Sequence, residues 1–325
     1  MIEVGIVGGT GYVAGELIRI LVHHPEIHIN FIFSHSHAGK KAMTVHEDLF
    51  TYPDLAFTDR VNSGVDVVFL CLGHGNSSQF LDKHTFSAHT KIIDLSNDFR
   101  LHEQAVFQNK KFEYGLTELY HDSIIHAENI ANPGCFATAI QLGLLPLAKA
   151  HEIIDSVHIQ GITGSTGAGQ ALTRSSHFSW RNNNISVYKP FVHQHLKEIH
   201  QSLVDCQGTF DYDLNFIPFR GDFTRGIFIS MYTETRLPEK ELIQLFKTFY
   251  HNKPFTVLSD APIHLKQVVN TNYCLIHVEK HESKAFITTA IDNLLKGAAG
   301  QAVENMNLMF GFEQQAGLNF KPNYF

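Results

Sequence analysis

The sequence predicts an α/β protein with a doubly wound parallel sheet in its first half and a mixed α+β domain in its second half. A short apolar strand, Val4 to Val7, leads through a glycine-rich turn into an amphipathic helix that ends before Pro25. Continuous apolar runs then alternate with helical segments, which is typical of parallel strands buried on both faces. After residue 150 the strands are rich in β-branched and aromatic residues, and several of them alternate with polar residues, which favours antiparallel pairing.

The composition indicates a soluble globular protein long enough for two domains, and its cysteines suit the cytoplasm. The chain has 325 residues, 44% of them hydrophobic and 18% charged, and a net charge of -7 that argues against a nucleic-acid partner. Its four cysteines form no CxxC pair, which argues against a zinc site or a disulfide framework and suits a reducing compartment. Its 22 histidines follow no ligand motif. We therefore expect no metal, no signal segment and no membrane partner.

The first glycine-rich turn is predicted to bind a dinucleotide. Gly8, Gly11 and Gly15 give the spacing GxxGxxxG between a strand and a helix. Glycines there let backbone N–H groups approach a pyrophosphate at the helix N-terminus. A tight turn without a ligand is the alternative interpretation. The cofactor contacts that we predict in this turn are Gly8, Thr10, Gly11, Tyr12 and Val13.

The segment after the second strand favours NADP(H) over NAD(H). That strand ends at Phe33, and the chain continues as "SHSHAGKK" without the carboxylate that usually binds the ribose hydroxyls of NAD. Ser34, Ser36 and Lys40 offer hydroxyls and a positive charge, which suit a 2′-phosphate. The alternative is a polar surface loop.

A cysteine follows the last predicted strand of the first half, in "ANPGCFATA". The Asn132-Pro133-Gly134 sequence predicts a turn, and an apolar helical pattern follows it. Cys135 is therefore expected at a helix N-terminus, where unpaired N–H groups and the helix dipole favour the thiolate. A buried cysteine that only fills space is the alternative.

Two further stretches of the second half suggest chemistry. In "HQHLKEIHQ", His195 and Glu198 are three residues apart on one helix face, and a histidine held by a carboxylate is a suitable acid–base partner for a thiolate. An ordinary solvated helix face would have the same spacing. The loop "GITGSTGAGQ" offers N–H groups and hydroxyls to an anionic substrate, or is only a flexible turn. The C-terminal "DNLLKGAAGQAVENMNLMFGF" predicts one long helix whose small residues allow close packing.

Together these stretches resemble the N-acetyl-gamma-glutamyl-phosphate reductases, relatives of the aspartate-semialdehyde dehydrogenases. The resemblance covers nearly the whole chain. It rests on "GIVGGTGYVAGELIRIL", "AGKK", "IIDLSNDFR", "YGLTEL", "ANPGC", "HQHLKEI", "TRG" and "AIDNLLKGAAGQAVENMNLMFG". The "NPGC" stretch and the C-terminal stretch are the most specific of these.

The resemblance implies a domain order and a set of site residues. It implies a Rossmann-type NADP-binding domain in residues 1–134, an inserted catalytic domain in 135–296, and a C-terminal helix in 297–325 that returns to the first domain. It implies Cys135 as the nucleophile and His195 with Glu198 as the acid–base pair, in a homodimer or homotetramer. The other site residues predicted on this basis are Asn293 for the cofactor and Arg100, Asn132, Ser165 and Arg225 for the substrate.

The implied reaction is the NADPH-dependent reduction of an acyl phosphate to an aldehyde in arginine biosynthesis. The cysteine would displace phosphate and form a thioester, which hydride transfer then reduces. An aspartate-semialdehyde dehydrogenase is the rival with the same chemistry. A cysteine hydrolase would use Cys135, His195 and Glu198 without NADPH, and a non-catalytic dinucleotide sensor would not need Cys135.

The chain departs from the family pattern in two places. Gln194 replaces an arginine in "HQHLKEI", and "PFRGDFTRG" stands where the family has a segment like "PHLVPMTRG". Arg220 in this second segment invites a carboxylate. That suggests an N-succinyl substrate as an alternative to the N-acetyl substrate, unless Arg220 pairs with Asp222 at the surface.

Overall fold

The computed structural model describes residues 1–324 and divides the chain into two compact units. The first unit contains Met1–Pro133 and Ala298–Asn319. The second unit contains Gly134–Gly297 and the terminal segment from Phe320. The second unit is therefore inserted into the first along the chain.

The first unit contains eight strands and four helices within the described part of the chain. Its strands are β1 Ile2–Val7, β2 Ile27–Phe33, β3 Phe57–Thr58, β4 Val67–Leu70, β5 Lys91–Asp94, β6 Val106–Phe107, β7 Lys110–Tyr114 and β8 Asn129–Ala131. Its helices are α1 Tyr12–Leu21, α2 Asn76–Lys83, α3 Thr117–Ile125 and, last in the chain, α8 Gly300–Met309.

The eight strands form one sheet in the order β3-β2-β1-β4-β5-β8-β7-β6. Every neighbouring pair is parallel except β6 with β7. The chain reverses its direction of winding between β1 and β4, and in such sheets ligands bind outside the carboxyl ends of the strands at that point. This topology confirms the predicted α/β class with a parallel N-terminal sheet.

Polar side chains attach α8 to the first unit, although every residue of this helix is buried. The side-chain amides of Gln301 and Asn305 both donate to the carbonyl oxygen of Gly115, at 3.1 and 2.9 Å. Asn307 Oδ1 lies 2.9 Å from His24 Nε2, and its amide donates to Gln314 and Ala316. The NH2 group of each of these amides thus finds an acceptor, which offsets part of the cost of removing it from water.

The predicted single long C-terminal helix is shorter and less regular in the structure. A π-helical turn, Leu295–Ala299, comes first, and the α-helix ends at Met309. Gly311 then adopts a φ of 68°, which is the left-handed conformation that commonly ends helices. The sequence pattern continued to Phe312 because apolar residues persist beyond the point where the backbone turns.

The second unit contains seven strands and four α-helices within the described residues. Its strands are β9 Val157–Thr163, β10 Ser186–Val187, β11 Leu214–Arg220, β12 Ile227–Glu234, β13 Thr256–Leu258, β14 Cys274–His281 and β15 Lys284–Ile291. Its helices are α4 Cys135–Lys149, α5 Phe178–Arg181, α6 Leu196–Gln207 and α7 Glu239–Tyr250.

These strands form a mixed sheet in the order β10-β11-β9-β12-β15-β14-β13. Residues alternate between buried and half-buried along β9 and β12, so one face carries the core. Helix α4 packs against β12 and β15 on that face, with α6 beside it, and its residues 136–148 are all buried. The core of the second unit therefore holds the helix that begins at Cys135.

Candidate active site

Cys135 is the first residue of α4, and Gly134 is the N-cap of this helix. The side chain is partly exposed, whereas the rest of the helix up to residue 148 is buried. The unpaired N–H groups of the first turn and the dipole of a 15-residue helix favour a thiolate at this position. The helix thus holds a potential nucleophile at a fixed point of the second unit.

The other cysteines lack these properties. Burial raises the pKa of the Cys71 thiol well above its usual range, and Asp94 raises it further. Burial also raises the pKa of Cys206 to about 11. Cys274 is fully buried in β14. Because reactivity requires the thiolate, Cys135 is the best candidate nucleophile among the four.

Glu198 connects the N-cap of α4 with His195. Its Oε2 accepts a hydrogen bond of 3.0 Å from the backbone N–H of Gly134. Its Oε1 lies 3.9 Å from His195 Nε2, and both side chains are less than 10% exposed. His195 is the N-cap of α6, and Glu198 lies in the first turn of that helix. One carboxylate therefore accepts a hydrogen bond from the N-cap of α4 and lies close to the imidazole of His195.

His193 lies in an aromatic enclosure beside His195. Its ring is edge-on to those of Phe136, Tyr188 and Phe216, and its centre is 4.6 Å from that of His195. Its Nδ1 accepts a hydrogen bond of 3.3 Å from the backbone N–H of His195. Burial, assisted by Lys189, lowers the pKa of His193 to about 4, so the ring is neutral near pH 7.

Gly297 leaves space for Cys135. A Cβ atom placed on Gly297 would lie 2.8 Å from the Cβ of Cys135 and 3.3 Å from the carbonyl oxygen of Asp292. Side chains do not approach so closely, so this position requires glycine. The sequence analysis attributed the small residues of "KGAAG" to helix packing alone. The structure shows that one of them borders Cys135.

The predicted pyrophosphate turn has the geometry that the motif requires. Gly8 adopts a φ of 80°, and a Cβ there would lie 2.5 Å from the carbonyl oxygen of Cys71, which follows β4. Gly11 is the N-cap of α1, whose first turn contains the predicted contacts Tyr12 and Val13. Thr10 immediately precedes this N-cap, and Tyr12 is 41% exposed. The glycines therefore allow a close approach of the backbone after β1 to the backbone after β4.

A cavity of about 480 Å³ opens beside this turn. Its lining residues are Gly8, Phe33, Ser34, His35, Ser36 and Leu72. Two of the predicted 2′-phosphate contacts, Ser34 and Ser36, thus share one cavity with the first glycine. Lys40 is exposed after the 3₁₀ turn His35–His37, and its backbone pairs with His37 and Phe57. The donors present fit the ribose and phosphate groups of a dinucleotide.

Aspartates that the sequence analysis overlooked hold the loops after β4 and β5. Asp98 accepts hydrogen bonds from the backbone N–H groups of Gly75 and Ser78, at 2.6 and 3.0 Å. Asp94 accepts from the hydroxyls of Ser77 and Ser96, and burial raises its pKa to about 6. The motif "IIDLSNDFR" contains both aspartates and Ser96, but the partners Gly75, Ser77 and Ser78 lie 17 to 23 residues earlier in the chain.

The predicted substrate residues Arg100 and Asn132 contact each other in the first unit. Arg100 is 5% exposed, and its Nε donates to the carbonyl oxygen of Asn132 at 2.8 Å. Asn132 is 1% exposed, and its amide donates to the carbonyl oxygen of Ala298 at 3.1 Å. Both side chains thus also stabilise the turn that leads to Pro133.

Three other predicted residues occur in loops of the second unit. Arg225 forms an ion pair with Asp292, with Nε 3.1 Å from Oδ2. Asn293, predicted as a cofactor contact, accepts from the backbone N–H of Gly226 at 2.7 Å and donates to Thr166 at 3.1 Å. The backbone N–H of Ser165 donates to Phe223 at 2.9 Å. These bonds connect the loop after β9 with the loop before β12 and the end of β15.

The described residues contain neither a metal-binding cluster nor a membrane-spanning helix. Within residues 1–324, no group of three or more His, Cys, Asp or Glu side chains is arranged to hold a metal ion. None of the helices in this range is both long and apolar enough to span a bilayer.

Comparisons with known proteins define the class. Residues 3–127 match the family model of the semialdehyde dehydrogenase NAD binding domain, and residues 135–293 match that of the semialdehyde dehydrogenase dimerisation domain. The alignment with aspartate semialdehyde dehydrogenase II from Vibrio cholerae covers 96% of this chain and 98% of that enzyme, with a TM-score of 0.75 at 17% identity. The alignment with aspartate semialdehyde dehydrogenase from Candida albicans, solved with NADP, covers 98% of this chain and 99% of that enzyme, with a TM-score of 0.69 at 15% identity. The fold is thus that of the semialdehyde dehydrogenases.

Closer relatives identify the family within this class. The N-acetyl-gamma-glutamyl-phosphate reductases of Flavobacterium johnsoniae and Christiangramia forsetii are 54% and 52% identical to this chain over 325 residues. That of Bacteroides fragilis strain ATCC 25285 is 52% identical over 326 residues. Each alignment covers 100% of both sequences. The chain belongs to the N-acetyl-gamma-glutamyl-phosphate reductase family.

Proposed function

We propose that this protein reduces N-acetyl-gamma-glutamyl phosphate to N-acetylglutamate 5-semialdehyde and phosphate with NADPH, a step of arginine biosynthesis. The observation that carries the proposal is the arrangement of Glu198, which joins the N-cap of the Cys135 helix to His195. This arrangement occurs in a chain that is 54% identical, over its whole length, to a reductase of that name.

Cys135 carries out the first half of the reaction. The thiolate attacks the acyl carbon, a C–S bond forms, and the C–O bond to phosphate breaks, which releases inorganic phosphate and leaves a thioester. His195 takes the thiol proton before the attack. Glu198 stabilises the resulting imidazolium, because its carboxylate lies 3.9 Å from Nε2 in a site that largely excludes water.

The second half needs a hydride and a proton. NADPH, when bound, supplies the hydride that reduces the thioester carbon. His195 then holds the proton that the substrate oxygen requires as charge develops on it. Collapse of the thiohemiacetal breaks the C–S bond, releases the aldehyde and restores the cysteine. The protein thus converts one difficult displacement into two easier steps.

The first unit is proposed to bind the dinucleotide at the turn after β1. Gly8 and Gly11 approach the pyrophosphate, and Ser34, Ser36 and Lys40 bind the 2′-phosphate. Support comes from the cavity that joins Gly8 to Ser34 and Ser36, and from the match to a dinucleotide-binding family model over residues 3–127. A backbone that presents N–H groups at a helix N-terminus is suited to phosphates.

The match to a dimerisation domain supports self-association, and we propose a homodimer or homotetramer formed through the second unit. The sheet of this unit carries α4 on one face, and its opposite face contains half-buried side chains such as Ile162, Phe228 and Tyr232. A second copy would cover such a face. We also propose that the enzyme acts in the cytoplasm, because Cys135 must stay reduced and none of the four cysteines forms a disulfide.

The reverse reaction tests the proposed function. NADP, phosphate and N-acetylglutamate semialdehyde are mixed with the enzyme, and NADPH formation is followed by its absorbance. We expect turnover that requires phosphate, and Cys135→Ala should abolish it while cofactor binding persists. Turnover only with aspartate semialdehyde would indicate the rival dehydrogenase. Hydrolysis of the acyl phosphate without NADPH would indicate a cysteine hydrolase.

A further inference from the structure

Two arginines of the second unit lie side by side at the end of β11. Arg181 ends the short helix α5 and is 9% exposed, and its Nη2 donates to the carbonyl oxygen of Gly221 at 2.5 Å. Arg220 is half-buried and ends β11. Its Nη1 donates to Ser175 Oγ at 2.8 Å, and its guanidinium carbon lies 4.6 Å from the centre of the Tyr188 ring.

The negative charge of Asp222 offsets the two positive charges of the pair only in part. Asp222 is close enough to influence Arg181, but its Oδ2 accepts a hydrogen bond of 2.7 Å from the backbone N–H of Asn183. Arg220 donates to Ser175 rather than to Asp222, so the surface ion pair considered from the sequence does not form. No ion pair of Arg181 or Arg220 with a carboxylate occurs within residues 1–324.

Arg181 also has an unused donor. Its Nε is buried and has no hydrogen-bond partner. Burial lowers the pKa of Arg181, and the neighbouring charge of Arg220 lowers it further. A buried donor without a partner is rare in proteins, and a water, an ion or a ligand can supply the acceptor that it lacks. Two adjacent guanidinium groups repel each other unless an anion lies between them.

We propose that Arg181 and Arg220 bind a carboxylate of the substrate. The planar guanidinium presents two parallel N–H donors, which match the two oxygens of a carboxylate. A carboxylate would pair with the unused Nε of Arg181 and would neutralise the excess positive charge. The inference rests on the proposed function, since that function supplies the substrate.

The position of the pair suits the end of the substrate that does not react. The Tyr188 ring lies next to Arg220, its centre is 5.8 Å from that of His193, and His193 is adjacent to His195. Two aromatic rings thus separate the arginines from the imidazole. The phosphate is bonded to the reacting carbon and must lie near the nucleophile, whereas the carboxylates of the substrate lie further along its chain.

A carboxylate can come from two parts of the substrate. Every glutamyl substrate has an α-carboxylate, and a dicarboxylic acyl group such as succinyl adds a second one, which acetyl lacks. Both would bind a guanidinium pair by the same chemistry. Comparison of acetyl and succinyl compounds distinguishes the two sources.

The experiment uses the reverse assay on wild type, Arg220→Gln, Arg220→Lys and Arg181→Lys, with N-acetyl- and N-succinylglutamate semialdehyde. We expect kcat/KM to fall at least tenfold in Arg220→Gln, mainly through KM. An equal loss for both substrates assigns the pair to the α-carboxylate, and a loss confined to the succinyl compound assigns it to the acyl carboxylate. Arg174→Gln, which removes an exposed arginine of the same segment, is the matched control and should change neither value.

A binding measurement keeps the result independent of turnover. Titration calorimetry with N-acetylglutamate and N-succinylglutamate, which keep the carboxylates of the two substrates, should show weaker binding to Arg220→Gln than to wild type or Arg174→Gln. Unchanged KM and unchanged binding in all the arginine variants would overturn the inference. An inactive wild type that binds these compounds through Arg220 would refute the proposed function and leave the carboxylate site intact.

Discussion

His193 Nδ1 accepts a hydrogen bond of 3.3 Å from the backbone N–H of His195, and the two imidazole rings are only 4.6 Å apart at their centres. A ring nitrogen accepts a hydrogen bond only when it carries no proton. The hydrogen bond therefore requires an unprotonated Nδ1, which agrees with the pKa of about 4 for His193. We therefore predict that His193 positions His195.

The variant His193→Phe tests this role. Phenylalanine keeps the aromatic packing but cannot accept the hydrogen bond, so we expect kcat to fall roughly three- to tenfold with little change in KM. His193→Asn should recover part of the loss, because an asparagine oxygen readily accepts from an N–H two residues later. The measurement is the pH profile of kcat for the three proteins. Equal activity of the Phe and Asn variants would contradict the role.

His193 should also make stability depend on pH. Its pKa is about 4 in the folded protein and about 6.5 in an unfolded chain. At a pH between these two values, the imidazole is therefore protonated in the unfolded state and neutral in the folded state. The free energy of unfolding is therefore highest above about pH 6.5 and decreases by up to about 3 kcal/mol as the pH falls toward 4. Urea unfolding at pH 7.5 and pH 4.5 should show a smaller difference for His193→Phe than for wild type, and parallel behaviour would exclude this origin.

Glu198→Gln should separate charge from shape. Glutamine keeps an oxygen that accepts from the Gly134 N–H but removes the charge next to His195. We expect kcat to fall about a hundredfold, the lower end of the range for acid–base groups, with unchanged NADPH affinity. Glu239→Gln removes an exposed carboxylate from the first turn of α7 and is the control. A fall of less than threefold in Glu198→Gln would remove Glu198 from the mechanism.

Gly297→Ala should disturb Cys135 directly. The new methyl group would lie 2.8 Å from the Cβ of Cys135, so the start of α4 must shift. We expect a loss of about 1–3 kcal/mol in the free energy of unfolding and slower alkylation of Cys135 by iodoacetamide. Gly64→Ala is the matched control, since a Cβ there meets only the Asn62 side chain at 3.5 Å. If Cys135 in Gly297→Ala is alkylated at the wild-type rate, the start of α4 accommodates the methyl group without a shift.

Lys40→Ala should lower the preference for NADPH. Loss of one charge at the 2′-phosphate should reduce kcat/KM for NADPH about tenfold and leave the value for NADH unchanged. Lys41→Ala removes the neighbouring exposed lysine and should have little effect. The ratio of kcat/KM for the two cofactors is measured in each protein. The same ratio in wild type and Lys40→Ala would place Lys40 outside the 2′-phosphate site.

Much of the chemistry could be predicted from short stretches, since local sequence decides local conformation. The turn at Pro133 and Gly134 makes Cys135 the first residue of a helix, because that dipeptide interrupts regular structure and helix formers follow it. The glycines after β1 are predictable for a similar reason, as Gly8 needs a positive φ and a close neighbour. The alternation of strands and helices likewise indicates the parallel sheet of the first unit.

Only the tertiary structure decided which distant residues meet. Glu198 reaches Gly134 because α6 packs beside α4, although 64 positions separate the two residues. Gly297 borders Cys135, although the two residues lie at opposite ends of the segment Gly134–Gly297. Arg181 and Arg220 come together at the end of β11. These contacts depend on how helices pack against the sheet, which is set by the sum of many apolar contacts throughout the core. No local pattern encodes that sum, so the position of Cys135 at a helix start was predictable, whereas the contacts of Gly134 and Gly297 beside it were not.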